Sequence, residues 1–451
     1  MARALIDALR AIVGGANVLD DPSLTERYRI DWTGRFRATS SVVVRPGSTE
    51  EVADVVAYCA DNAIAIVPQG GNTGLVGGGV ALDGEVTLSL ERMRAIESVN
   101  ATAGTLVAQA GATLADAQQA AHDAGWAYGV DIAARDSATI GGNIATNAGG
   151  LRVLRYGDTR RQLAGIELVT GTGEVITGLS GTLRNNTGYH LPSLVCGSEG
   201  TLGVITRATL RLGAVFSHRA TALLRFDDDT AAANAAESLR RHLPAAESIE
   251  LFFAPGLRLV CDAFALTPPF ATVDGGYVLV EAADTTDPTD QLATAVDSID
   301  GVSDVAVATD DARRRDLWRF RELHTDAISR AGIPHKLDVA VPPGSVGAFL
   351  AAVGPAITAV AAEARVFNFG HAGEAAIHVN VIGPSPDDYA VDDAVLRLVG
   401  EFGGSISAEH GIGRAKRASL HYDDAELALR RGIKAAFDPH GIMNPGVLFP
   451  T

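Results

Sequence analysis

The chain has 451 residues, 47% of them hydrophobic, and a formal net charge of -17 at pH 7. That length exceeds one ordinary core and points to two domains, and the apolar fraction excludes a disordered chain. The acid excess argues against nucleic acid or an anionic membrane surface as main partner, while a local basic pocket for an anionic small molecule stays compatible with it. Cys59, Cys196 and Cys261 are far apart and form no CxxC, which removes iron–sulfur and Cys-type zinc sites and suits a reducing compartment. Met1 to Gly15 reads as a short amphipathic helix rather than a signal peptide. Phe349–Ala362 is apolar but Ala-rich, contains Pro355 and is too short to span a bilayer. A cytoplasmic protein without a membrane span is expected.

In chain order, Ser41-Val42-Val43-Val44 reads as a strand, and Ser48 with Glu51 forms a capping box opening a helix to about Ala60. The strand Ile64–Val67 completes a βαβ opening. Strands follow at Val86–Leu90, Thr105–Ala108, Ile166–Thr170 and Gly203–Leu212, with a helix capped by Thr113. Beyond Gly213 the order is strand Ala220–Phe226, helix Ala231–His242, strands Ser248–Phe253 and Tyr277–Glu281, helix Thr289–Ile299, strand Ser303–Ala308. That β-α-β-β-α-β order is the ferredoxin-like arrangement. A long helix from Ala312 to about Arg330, the strand His335–Val341, the helix Val346–Glu363 and two strands flanking Gly373 follow. The fold class is therefore α+β. One domain spans 1–212, joined by the C-terminal 440–451, and a second spans 213–439.

Three glycine-rich segments crowd the first domain. Pro68-Gln69-Gly70-Gly71-Asn72-Thr73-Gly74 follows a strand, where consecutive backbone N–H groups can converge on an anion. The others are Asp136–Gly150 and Cys196–Gly203. None is a GxGxxG or Walker loop, so Rossmann and P-loop assignments fail. Each alone is equally compatible with a tight turn; three together, interleaved with Ser, Thr and Asn, point to a large phosphate-bearing cofactor.

Late in the chain, His371, His378 and Asn380 lie on one Gly-rich stretch and Glu409-His410 on another. With a turn at Glu374-Ala375, His371 sits opposite His378 in a hairpin, and alternation places Asn380 on the same face and Ile377 and Val379 toward the core. Two imidazoles and a carboxylate suit zinc, manganese or ferrous iron. Any single histidine is better explained as hydrogen-bonded core. Arg321 and Thr325 are four apart on the expected long helix, and Lys336 opens the next strand. From the residues alone, Arg321 reads as part of a solvated helix with Arg313, Arg314, Arg315 and Arg319.

On these motifs the chain, from about Arg37 to Phe449, resembles the FAD-linked D-2-hydroxy-acid dehydrogenases of the vanillyl-alcohol oxidase/PCMH superfamily, most closely those acting on D-2-hydroxyglutarate. The resemblance implies a two-domain PCMH-type FAD-binding fold with a ferredoxin-like substrate (cap) domain. It assigns the pyrophosphate to Gly70, Gly71, Asn72, Thr73 and Gly74 with Pro68. It assigns the rest of the FAD to Ser137, Gly142, Asn143, Thr146, Asn147, Gly150, Gly200, Ile205 and Asn444. No histidine lies near Gln69–Leu75, so non-covalent FAD is expected. The resemblance also makes His371, His378 and Glu409 ligands of a divalent metal, zinc foremost, with manganese or iron as alternatives. It makes Asn380, Arg321, Thr325 and Lys336 substrate contacts and His410 the base. One departure stands out: relatives read Gly-Asp-Gly-Asn where this chain has Gly373-Glu374-Ala375-Ala376.

The implied reaction is oxidation of a D-2-hydroxy acid to the 2-keto acid, with hydride to flavin N5. D-lactate dehydrogenase or glycolate oxidase chemistry is the near alternative. A flavin-dependent alkylglycerone-phosphate synthase-type transferase and a non-enzymatic FAD module are the distant ones. No haem, NAD or iron–sulfur signature appears, so electrons are expected to leave to an external acceptor: an electron-transfer flavoprotein, a quinone or a cytochrome. A homodimer is expected at family level only.

Overall fold

A computed structural model describes residues 2–39, 42–182 and 184–449; Ser41, at the start of the first expected strand, lies outside them. The chain divides into two compact units, Met1–Gly150 with Tyr156–Ala214 and His410–Thr451, and Leu151–Arg155 with Val215–Glu409. The return to the first unit comes at His410, earlier than the expected position 440. The reason is local: Ile412 and Gly413 donate their amides to Glu199, and Arg414 donates its own to the Val76 carbonyl.

The first unit carries two sheets. In one, Val18–Leu19 pairs antiparallel with Val43–Val44, and Val86–Ser89 lies between Val43–Val44 and Ile66–Gln69, these three parallel, with Thr49–Asp61 as the crossover helix. Ser48 caps that helix by accepting from the Glu51 amide, and the Glu51 carboxylate accepts from Gly47 N at 2.7 Å. The other sheet is antiparallel, in the order Ile96–Asn100, Thr105–Gln109, Val204–Arg211, Leu163–Val169, Val175–Gly178. One core joins them, built on Val52, Val56, Leu106, Ile140, Ile144 and Leu210.

The second unit is a seven-stranded sheet. Val302–Ala308, His218–Phe226, Gly276–Asp284 and Ala246–Phe253 lie side by side in that order, all antiparallel, the strand order of a ferredoxin-like fold. Three more strands, Arg365–His371, Ala376–Ile382 and His335–Ala340, extend the sheet beyond Ala246–Phe253. One face buries Ile249, Leu251, Leu337, Val339, Ile377 and Val379 under the helices Asp229–His242, Val346–Val360 and Ala390–Glu401. The opposite face packs Phe252, Phe367 and Phe369 against Trp318, Phe320 and Ile328.

Two expectations need correcting. The long helix from Ala312 is two helices, Asp311–Glu322 and His324–Ala331, broken at Leu323. The His324 ring explains the break: its Nδ1 lies 3.2 Å from the Arg321 carbonyl, the group a continuous helix would give to residue 325. Burial depresses the His324 pKa to about 3, so the ring is neutral and its Nδ1–H donates. The helix Val346–Val360 also stops short of Glu363. Among the described residues, no helix is long and apolar enough to cross a membrane.

Candidate active site

The candidate site lies on one face of the second unit's sheet. Antiparallel register pairs Glu250 with His371, Phe369 with His378, His378 with Asp338, and Asn380 with Lys336. Because side chains alternate, Glu250, His371, His378, Asp338, Asn380 and Lys336 all share that face, while Leu251, Ile377 and Val379 point to the apolar core. The hairpin differs from the expectation. Its loop is the four residues Ala372–Ala375, not a tight turn at Glu374-Ala375, so His371 pairs with Ala376 and His378 with Phe369. The two histidines are diagonal neighbours. Their rings still meet, edge to face, with Nε2 atoms 3.3 Å apart.

Glu409 arrives along the outer edge of this sheet. Ser405 exchanges backbone hydrogen bonds with Ala340, and the Glu409 amide donates to Asp338 Oδ2 at 2.7 Å. That brings Glu409 Oε1 to 3.5 Å from His371 Nε2. One donor atom from each of His371, His378 and Glu409 falls within a 4.8 Å cluster. Ligands bound to one ion at about 2.1 Å sit about 3–3.4 Å apart, so this spacing fits a small divalent cation.

The atoms behind the rings support the same reading. His371 Nδ1 lies 2.9 Å from Glu250 Oε1, and His378 Nδ1 lies 3.4 Å from Asp338 Oδ1. The Glu250 carboxylate behind His371 fixes that ring's tautomer and turns its Nε2 inward, the arrangement that orients metal-binding histidines, and Asp338 lies at ion-pair distance behind His378. Glu250 also accepts from Ser248 Oγ at 3.0 Å and pairs with Arg321 Nη2 at 2.7 Å. Arg321, 5% exposed, lies over the Phe369 ring at 4.6 Å, and its Nε is buried without a hydrogen-bond partner.

The charges are strongly coupled. Burial would raise the Glu250 carboxyl, yet His371 and Arg321 hold it down at about 2. Burial opposes a charged His371, but Glu250 and Glu409 raise it to about 9. Burial raises Glu374 to about 8, with Glu409 and Glu250 adding to the effect and His371 opposing it. Burial lowers Lys336 to about 8, partly offset by Asp326.

In the first unit the glycine-rich segments meet. A side chain at Gly71 would strike the Ser137 carbonyl and one at Gly70 the Thr139 hydroxyl, so these segments approach as only glycine allows. Thr139 caps the helix Ile140–Thr146, which contains Gly142 and Asn143; Thr146 bonds back to the Gly142 carbonyl. Asn72 bonds the Arg27 and Ile30 carbonyls, and Asn147 closes the helix and bonds Asp158, so both hold the backbone. Thr73 and Gly74 follow in the same loop, and nothing lies within 4 Å of where a Gly74 side chain would begin. Gly150 abuts the Asp131 carbonyl, Ile205 lies buried on the strand Val204–Arg211, and Gly200 sits against Pro68 and Asn444. Asn143 Nδ2 and Asn444 Oδ1 are buried without hydrogen-bond partners, as suits a lining for a polar cofactor.

Comparison with known proteins agrees with this layout. Residues 40–178 match the family described as FAD binding domain, and residues 216–448 match FAD linked oxidases, C-terminal domain. The chain belongs to the FAD-linked oxidases. The D-2-hydroxyglutarate dehydrogenase of Xanthomonas citri pv. viticola is 39% identical over 458 residues, spanning 98% of this chain and 96% of the relative. The mitochondrial D-2-hydroxyglutarate dehydrogenase of Bos taurus is 35% identical over 460 residues, spanning 98% and 83%. Two solved structures share the fold. p-Cresol methylhydroxylase aligns with TM-score 0.80 at 17% identity over 99% of this chain and 96% of its own. The 4-ethylphenol oxidase of Gulosibacter chungangensis aligns with TM-score 0.79 at 18% identity over 100% and 97%. The two-domain PCMH-type fold with a ferredoxin-like second domain is thus the architecture of this flavoprotein, and FAD is its cofactor.

In this FAD-linked oxidase, Thr325 is half-buried at the start of the helix after the break, and Lys336 and Asn380 are cross-strand partners. His410 is half-buried and follows Glu409 directly. Sequence reading missed Glu250 and Asp338, the carboxylates behind the imidazoles. The signal was present: each is an acid flanked by apolar residues within a strand, Ile249-Glu250-Leu251 and Leu337-Asp338-Val339, where an unpartnered charge is costly.

Proposed function

We propose that this protein oxidises a D-2-hydroxy acid, D-2-hydroxyglutarate first, to the 2-keto acid and passes the electrons to an external acceptor. The observation that carries the reading is the strip His371, His378 and Glu409, backed by Glu250 and Asp338 and joined through Glu250 to Arg321. The names of the relatives support the substrate. His371, His378 and Glu409 would hold a divalent cation, zinc by donor set, which supplies a Lewis acid for the 2-hydroxyl. FAD, when bound, supplies the hydride acceptor at N5.

The chain's own residues do the rest. Glu250 keeps the His371 Nε2 aimed inward, with Asp338 behind His378. Arg321, with an unused Nε, can grip a carboxylate, and Lys336 and Thr325 add a cation and a hydroxyl for the second acid group of a dicarboxylate. Asn380 orients the substrate from the same sheet face. His410 takes the hydroxyl proton as C2 loses its hydride, so one carbon–hydrogen bond and one oxygen–hydrogen bond are exchanged for a carbonyl. An acceptor such as an electron-transfer flavoprotein, a quinone or a cytochrome completes the turnover, and the cytoplasm and a homodimer are part of the same reading.

The test is anaerobic mixing with D-2-hydroxyglutarate, D-malate or D-lactate. Bleaching of the flavin, fastest with D-2-hydroxyglutarate, is expected. A flavin that stays yellow with every hydroxy acid defeats the proposal and favours transferase chemistry on the same scaffold. In His410→Ala, bleaching should slow by about 10²–10⁴-fold with FAD and metal retained.

A further inference from the structure

Glu199 is an acid inside the third glycine-rich segment, and it is only 8% exposed. Its two oxygens accept the amides of Ile412 at 2.8 Å and Gly413 at 2.7 Å. Its own backbone is held on both sides, because its amide donates to the Ala145 carbonyl at 2.8 Å and its carbonyl accepts from Asn444 Nδ2 at 2.7 Å. It adopts φ 49°, a left-handed conformation that is strained for a non-glycine residue and persists only where surroundings impose it. The loop it grips is built to receive it. Gly411 has φ +83°, and a side chain there would begin 2.9 Å from Glu199 Oε1. Gly413 is pressed against the Val76 carbonyl, which also accepts from Arg414 N. Burial raises the Glu199 carboxyl, while the two amides and Lys416 favour its charge.

We infer that Glu199 is a positioning residue for catalysis, clamping the loop Gly411–Gly413 so that His410, the residue just before it, is held as a base. The inference rests on the proposed role of His410. Ordinary fold support would not need both carboxylate oxygens spent on the two residues next to Gly411, from an acid anchored through the helix Ile140–Thr146 and Asn444. A carboxylate can accept both amides, whereas a carboxamide presents one oxygen and turns its own N–H groups toward the second donor.

The test uses the holoenzyme. Glu199→Gln should keep FAD and metal in full but slow anaerobic flavin bleaching by about 10–100-fold, with substrate affinity little changed, as expected for a misplaced catalytic group. Gly411→Ala, which pushes the loop off the carboxylate from the other side, should give the same split. The pH profile of the bleaching rate should move in both. In a His410→Ala background, Glu199→Gln should cost nothing more, because its effect passes through the imidazole. An equal loss in both backgrounds overturns the inference, as does a wild-type rate in Glu199→Gln while His410→Ala is slow. Loss of FAD in both single variants overturns it too, by making Glu199 a support of the cofactor pocket. A wild-type rate in His410→Ala instead removes the base assignment itself, and the clamp falls with it.

Discussion

At the scale of the residue, Glu250 does two jobs with one carboxylate: it fixes the His371 ring and neutralises Arg321. Both partners are buried, so its removal strands a guanidinium in low dielectric. Glu250→Gln keeps the size and the Ser248 contact but not the charge. We expect a loss of about 3–5 kcal/mol in chemical denaturation and about 10–100-fold weaker metal retention in a chelator titration. Unchanged retention would show that the ring needs no charge behind it. Lys336 gives a prediction with a sign. Its folded pKa is about 8 against 10.5 for the free side chain, chiefly through burial. The cation that a carboxylate needs is therefore lost above about pH 8, and KM for a dicarboxylate should rise there. Stability runs the other way: between about 8 and 10.5 the unfolded chain binds the extra proton, so this group makes the fold more stable as pH rises. A KM that climbs while the melting point does not fall separates the two, and Lys336→Met should flatten the KM limb.

At the scale of the element, the hairpin shows what was legible and what was not. Alternation alone put His378 and Asn380 on one face and Ile377 and Val379 on the other, and the sheet keeps that division. Register was not legible, since it depends on the loop. Four residues, Ala372–Ala375, bridge the strands, with Ala375 at φ 56°. Alanine gives no sign of a left-handed position, whereas the glycine usual at this point in relatives would have done. The break at Leu323 was hidden for a similar reason, since no glycine or proline marks it and a buried histidine makes it. The helices Ala254–Phe264 and Asp424–Phe437 were also missed: the first follows its strand without a linker, the second lies in a charged stretch. The strained alanine yields a test. Ala375→Gly should stabilise the protein by about 1 kcal/mol if relief of the left-handed strain exceeds the entropy glycine adds to the unfolded chain. A lower melting point would mean that the Ala375 methyl, buried in the core, contributes more than its backbone costs.

At the scale of the whole molecule, the proposed donors for FAD and for a divalent metal are divided between the units. His371, His378 and Glu409, with Glu250 and Asp338 behind them, all belong to the second unit, while Gly70–Gly74, Ser137–Gly150, Gly200 and Asn444 belong to the first. No residue in either set is shared, so the two cofactors should be separable. A chelator should strip the metal and leave the flavin bound and yellow, yet the stripped protein should no longer bleach with a hydroxy acid. Readdition of zinc or manganese should restore bleaching. The proton on His371 sets the pH dependence of metal binding. With Glu250 and Glu409 beside it, the metal-free ring holds its proton up to about pH 9, and a metal must displace it. Apparent affinity for free metal should therefore fall by about tenfold per pH unit below that value. Absorbance for the flavin and elemental analysis for the metal read the two occupancies independently. Co-release of FAD with the metal would show that the flavin depends on the cation, and full bleaching by metal-free protein would remove the cation from the reaction.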